Sequence, residues 1–222
     1  MKKIIAIILS LAIILTISTS TLASAYEVNE ISYVQEYSSS EEYVAKLWLC
    51  SDIDVFPFVG HCWVYVENLS DSPIQVGFYE VPVGQGVSVG SFSFSVSDGW
   101  GVYYNLEAMR ENRDNTVKRA QTVSTMLDSA KLQKLTDSLV NYPNYWGPVA
   151  NCSTFAFRIW NSVTGDLYFS LLIPAIAHFE LILSGSKKGE LEMYYPEDSQ
   201  ILRQRGTGNN AYLEPVSAKT LA

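Results

Sequence analysis

The apolar period of this chain changes near Asp128, and that change restricts the fold class more than any other feature. Before it, apolar residues run in short blocks or alternate with polar ones. "YVAKLWLC" ends at Cys50, "FVGHCWVYVEN" carries Gly60 to Glu67, "IQVGFYEV" spans Ile74 to Val81, and "SFSFSVS" sets Phe92, Phe94 and Val96 against serines. Such blocks read as strands, the alternating one as half-buried. "GVYYNLE" and "QTVSTML", the latter Gln121 to Leu127, are further strand candidates. "NLSDSP", Asn68 to Pro73, is rich in turn formers, so the strands on either side of it are expected to form a hairpin.

After Asp128 the spacing becomes helical. In "DSAKLQKLTDSLVNYP", Leu132, Leu135 and Leu139 share one helix face, Asp128 or Ser129 can cap the start, and Pro143 follows the end. In "NCSTFAFRIWNSVTG", Phe155, Ile159 and Val163 repeat the pattern, with Asn151 as N-cap and Gly165 as the stop. A third apolar segment, "LLIPAIAHFELILSG", is broken at Pro174 and ends before Gly185. Strands followed by helices predict an α+β domain.

The N-terminus adds a compartment. Lys2 and Lys3, the apolar run "IIAIILSLAIILTI" and the small-residue exit Ala23-Ser24-Ala25 have the form of a secretory signal peptide over residues 1–25. The run turns to Ser and Thr after Ile17, short of the roughly 20 apolar residues of a membrane-spanning helix, so no stable membrane insertion is expected after cleavage. The expected organisation is a polar lead-in at 26–43, one domain at 44–194 and a polar tail at 195–222. Without the leader, 13 basic residues face 23 acidic ones, a net charge of about −10 that makes nucleic acid an unsuitable partner.

Three cysteines are an odd number for an exported chain, so at least one is free, bonded to another chain or reactive. Cys50 and Cys62 lie on successive strand candidates. They are either a cross-strand disulfide or two small buried residues. Cys152 heads the second helix, where unsatisfied N–H groups and the positive end of the helix dipole lower a thiol pKa below about 8.5. It is either a nucleophile or a small residue that starts a helix. A thiol nucleophile needs a base, and the chain has only His61 and His178. Two scattered histidines do not make a metal-ligand set, and no cofactor is expected.

Together "GHCWVYVEN" and "NCSTFAFRIWN" resemble the circularly permuted branch of the NlpC-type papain-like proteins, the group that includes lecithin:retinol acyltransferase-like and YiiX-like proteins. In that branch a strand-borne His precedes a Cys that opens a helix. The resemblance runs from about Gly60 to Gly165 and implies a papain-like fold, an antiparallel sheet packed against the helix bearing the Cys. It implies Cys152 as nucleophile and His61 as general base. The chain departs from the family pattern at Cys62, where a small Ala is common, and in having no second His on the next strand, which excludes a Cys-His-His site.

The third member, which would orient the imidazole, is sought by register. A hairpin centred between Ser70 and Asp71 sets residue 61 opposite residue 80, making Glu80 the first choice and Gln75, on the same strand, the weaker one. The implied activity is hydrolysis of an amide by a secreted or wall-associated cysteine amidase or peptidase, with a peptidoglycan stem peptide as the favoured substrate. A lipid or ester acyl hydrolase on the same scaffold is the alternative, and a binding domain that has lost activity is the third reading. Tyr145 and Trp146 lie just upstream of Cys152, where they can wall the cleft or pack as a loop.

Overall fold

A computed structural model describes residues 42–55, 59–93, 100–107, 120–143, 147, 150–168, 174–195 and 201–216. The leader, most of the lead-in, Phe94 to Val96, Tyr145, Trp146 and the last six residues of the tail lie outside the described residues. The fold is mixed α and β. Its strands are β1 (Ala45–Val55), β2 (Val59–Asn68), β3 (Ile74–Val76), β4 (Tyr79–Val81), β5 (Gly86–Ser93), β6 (Trp100–Tyr104) and β7 (Gln121–Leu127). Helices α1 (Ser129–Val140), α2 (Cys152–Thr164) and α3 (Pro174–Leu183) follow, then the short β8 (Lys187–Lys188), β9 (Leu202–Arg205) and β10 (Tyr212–Pro215). Eight strands form one sheet in the order β10-β9-β6-β5-β2-β1-β7-β8, with every pair antiparallel, while β3 and β4 form a separate hairpin.

The central strands are apolar on both sides because both faces of the sheet are covered. Leu47, Leu49, Cys62, Val64 and Val66 face a core shared with Leu135 and Leu139 of α1, Phe155, Ala156 and Ile159 of α2, and Ala177 and Leu181 of α3. The alternate residues Trp48, Cys50, Trp63 and Tyr65 pack on the other face against Ala120, Leu191, Met193 and Tyr195. The segment after β8 is therefore a strap across the sheet, tied down where the Tyr194 N–H donates to Tyr65 Oη at 2.8 Å.

Each long helix starts at a side-chain cap. Asp128 Oδ1 accepts the Lys131 N–H at 2.7 Å ahead of α1, and Asn151 Oδ1 accepts the N–H groups of Ser153 and Thr154 at 3.1 and 3.2 Å ahead of α2. Gly165, at φ 80°, ends α2 in the left-handed conformation that glycine adopts without a Cβ clash.

The hairpin expected between 60–67 and 74–81 does not form. The second run is split at Gly77 (φ 59°) into β3 and β4, which pair with each other, and β2 pairs instead with β5, from Glu67↔Gly86 to Trp63↔Gly90. The symmetry centre thus falls between Val76 and Gly77 rather than between Ser70 and Asp71. The intervening excursion is closed by Asn68, whose Nδ2 donates to the carbonyls of Ser72 at 2.9 Å and Val81 at 3.0 Å.

The C-terminal segment also differs from the polar tail expected over 195–222. β9 pairs with β6 at Tyr103↔Arg203 and Tyr104↔Leu202, and β10 pairs with β9. Its charges serve the pairing, since Glu214 Oε1 accepts from Arg203 Nε at 2.9 Å and Arg205 Nε at 2.7 Å. Gln204, fully buried between them, accepts from Tyr104 Oη and donates to the Leu139 carbonyl, both at 3.3 Å.

Candidate active site

Strand alternation decides where His61 points. Residues directly opposite in an antiparallel pair share a face, so Cys50↔Trp63 and Asp52↔His61 put the imidazole on the strap-covered face. Its ring stacks on Trp63 at 5.4 Å between centroids, with 11° between planes, and meets Phe92 at 4.0 Å. Phe92 is the residue that an extension of the β2–β5 register would set opposite His61. Cys62 points the other way, toward α2.

The β2–β5 ladder ends at Trp63↔Gly90, and beyond it β5 pairs only with β6 as far as Ser93↔Trp100. Here the start of α2 reaches the imidazole. Cys152 is hydrogen-bonded to His61, and the backbone N–H groups of Cys62 and Ser153 also donate to its sulfur. Both residues are nearly closed off, His61 4% and Cys152 8% exposed.

A carboxylate completes the line. Glu107 Oε1 lies 2.8 Å from His61 Nε2, and Glu107 is fully buried. That contact leaves Nδ1 as the ring nitrogen available to the thiol. Glu107 gets there because Asn105, at φ 61°, turns the chain sharply out of β6 while its N–H still donates to the Ser88 carbonyl at 2.9 Å. Asn tolerates this left-handed geometry better than other residues with a Cβ.

The electrostatics favour a charge-separated pair. Burial, the largest influence on Cys152, raises its pKa, but the hydrogen bond and charge of His61 and the two backbone donors outweigh it and hold the thiol below its ordinary value. Burial likewise lowers the His61 pKa, and the bonds and charges of Cys152 and Glu107 together outweigh it and hold the imidazole above its ordinary value. A thiolate beside an imidazolium backed by a carboxylate is the arrangement that nucleophile, base and orienting group require.

Of the residues singled out from sequence, Cys152 and His61 come together and Glu80 does not join them. Glu80 is exposed on β4 opposite Gln75, in the small hairpin. The correction has one cause: the register assumed a β2–β4 hairpin, whereas the partner of β2 is β5. Gln75 is likewise elsewhere, donating to the Gly77 carbonyl at 3.1 Å. Glu107 was missed, although a lone carboxylate within "GVYYNLEAM" is a signal, because an acid in an apolar run needs a buried partner.

His178 lies on α3, half-buried, with Nδ1 3.2 Å from the Ser51 carbonyl and 3.3 Å from Ser51 Oγ. Burial lowers its pKa. The three cysteines are free, and Cys50 and Cys62 sit on opposite faces of the sheet, which rules out a bond between them in this fold. Among the described residues, no helix is long and apolar enough to cross a membrane. Comparisons with protein-family models, with curated proteins and with solved structures returned no match.

Proposed function

We propose that this chain is an exported cysteine-dependent amide hydrolase, an amidase or peptidase, of the permuted NlpC-type papain-like kind. The observation that carries the reading is the buried line Cys152, His61, Glu107, in which each member has its partner. A strand-borne His that precedes a helix-heading Cys, with an antiparallel sheet behind both, supports the family reading.

In the proposed reaction the Cys152 thiolate attacks a carbonyl carbon, forming an S–C bond. His61 gives its proton to the departing amine as the C–N bond breaks, and Glu107 keeps the ring oriented and stabilises its charged form. Water, deprotonated by His61, then opens the thioester and releases the acid. Asn151 caps Ser153 and Thr154, which leaves the Cys152 N–H at the helix start as the proposed donor to the oxyanion. A wall peptide is the favoured substrate, in keeping with the leader-like N-terminus and the family resemblance.

One observation favours acyl esters as a second reading. α3 exposes Ile176, Phe179, Ile182 and Leu183, the last at 87%, and its first residue, Pro174, sits 3.4 Å from where a Cβ on Gly60 would stand, next to His61. An apolar helix face beside the site suits a lipid chain.

The test is alkylation of Cys152 by iodoacetamide across pH, read by peptide mass, in the wild type and in His61→Ala. Reaction well below pH 8 that His61→Ala abolishes supports catalysis, and an inert thiol in both would turn the reading to a binding domain. Product release from purified wall material against release from acyl esters then separates the two substrates.

A further inference from the structure

The second thiol at the site has no part in the hydrolytic scheme. Cys62 is fully buried on the face of β2 that α2 covers, and α2 is the helix that Cys152 heads. Its own N–H donates to the Cys152 sulfur. That hydrogen bond sets the two residues side by side, the arrangement from which a disulfide forms once the Cβ atoms stand about 3.5–4.5 Å apart. At rest the arm is turned aside, with Cys62 Sγ donating to Ser51 Oγ at 3.3 Å, and Ser51 is itself buried and held by His178. Rotation of Cys62 toward Cys152 breaks this weak S–H···O contact.

We propose that Cys62 is a resolving thiol, which captures oxidised Cys152 as a Cys62–Cys152 disulfide and so protects the nucleophile from irreversible oxidation by peroxide. This rests on the reading of Cys152 as a reactive thiolate. In the first step the Cys152 thiolate attacks one oxygen of hydrogen peroxide. An S–O bond forms, the O–O bond breaks, sulfur gives up two electrons, and the departing hydroxide takes the His61 proton and leaves as water, giving Cys152–SOH. In the second step Cys62 sulfur displaces that hydroxyl, the Cys62 proton leaves with it as a second water, and the S–S bond forms. An external dithiol returns both residues to thiols and is itself oxidised to a disulfide.

The order of events is built into the site. Burial, and after it the charge of Cys152, keep the Cys62 thiol protonated. Oxidation of Cys152 to the uncharged sulfenic acid removes that charge, so Cys62 becomes a better nucleophile only once there is something to capture. Cys50 cannot substitute, because it lies on the opposite face.

The experiment treats the mature protein with a several-fold molar excess of hydrogen peroxide, enough for two successive oxidations of one thiol, and maps peptides by mass without reduction, with untreated protein and Cys62→Ala alongside. The expected result is a linked Cys62–Cys152 peptide in the wild type, loss of Cys152 alkylation, and its return with dithiothreitol. In Cys62→Ala the link is absent and Cys152 gains two oxygens that dithiothreitol does not remove. If untreated Cys152 alkylates well below pH 8 but peroxide yields sulfinic acid with no linked peptide, the resolving role is overturned and the hydrolase reading stands. If untreated Cys152 does not alkylate below pH 8, both fall. Should Cys62→Ala fail to fold, the presence or absence of the linked peptide in the wild type decides.

Discussion

Gly90 lies against His61 so closely that a Cβ on it would stand 3.2 Å from Nε2, and 2.7 Å from Glu107 Oε1 as well. The last rung of the β2–β5 ladder is therefore also the wall behind the His–Glu contact. Gly90→Ala is expected to push that contact apart, costing about 1–3 kcal/mol of stability and the low-pH reactivity of Cys152. Thermal denaturation and an alkylation–pH profile on the same sample check both.

Glu107 and Glu80 make a matched pair of substitutions. Glu107→Gln keeps the shape but removes the charge that holds the imidazolium, and is expected to lower kcat/KM on the order of 10²–10⁴-fold. Glu80→Gln, on the exposed hairpin, is expected to change neither activity nor stability beyond about 0.5 kcal/mol. Hydrolysis rates of both variants with any substrate found by the release assays check the assignment, and equal losses would contradict it.

The pH profile has two limbs with different owners. Activity is expected to rise as Cys152 loses its proton, at a pH below that of an ordinary thiol because His61 lowers its pKa, and to fall as the imidazolium loses its proton, at a pH above the ordinary histidine value. Glu107→Gln removes one of the causes that raise His61, so the falling limb is expected to move to lower pH. His61→Ala removes the two largest causes that lower Cys152 and leaves burial opposed only by the two backbone donors, so the onset of alkylation is expected to move to higher pH.

Asn105 tests how the carboxylate is delivered. Its left-handed φ is free of strain for glycine and costly for a β-branched residue, about 1–2 kcal/mol. Asn105→Gly is expected to retain low-pH alkylation of Cys152. Asn105→Val is expected to lose it, because Glu107 no longer arrives under His61.

The parts of this molecule governed by nearest neighbours were legible in the sequence. The N-cap at Asn151, the stop at Gly165, the α1 stripe of Leu135 and Leu139, and the strands at β1, β2 and β7 follow from spacing and capping within a dozen residues. Cys152 and His61 were legible for a related reason, since few residues of their kind exist in the chain. What failed depends on distance. The partner of β2 lies beyond a closed excursion that sequence cannot rank against a shorter hairpin, and every inference drawn from that register, Glu80 above all, moved with it. Gln204 and its neighbours read as a polar tail because two ion-paired strands at a sheet edge have the composition of solvent-exposed chain.

The ladder between β2 and β5 stops two residues short of the imidazole, and the thiol arrives there from the helix side of the sheet. Neither partner can meet the other through its own strand or its own helix. A chain in which the sheet has formed but α2 has not yet docked holds a histidine with no thiol. One in which α2 forms alone holds a thiol with no histidine to activate it. On the proposed reading, reactivity is thus a property of the completed fold, and the chain carries its activated thiol only once the molecule that contains it is finished.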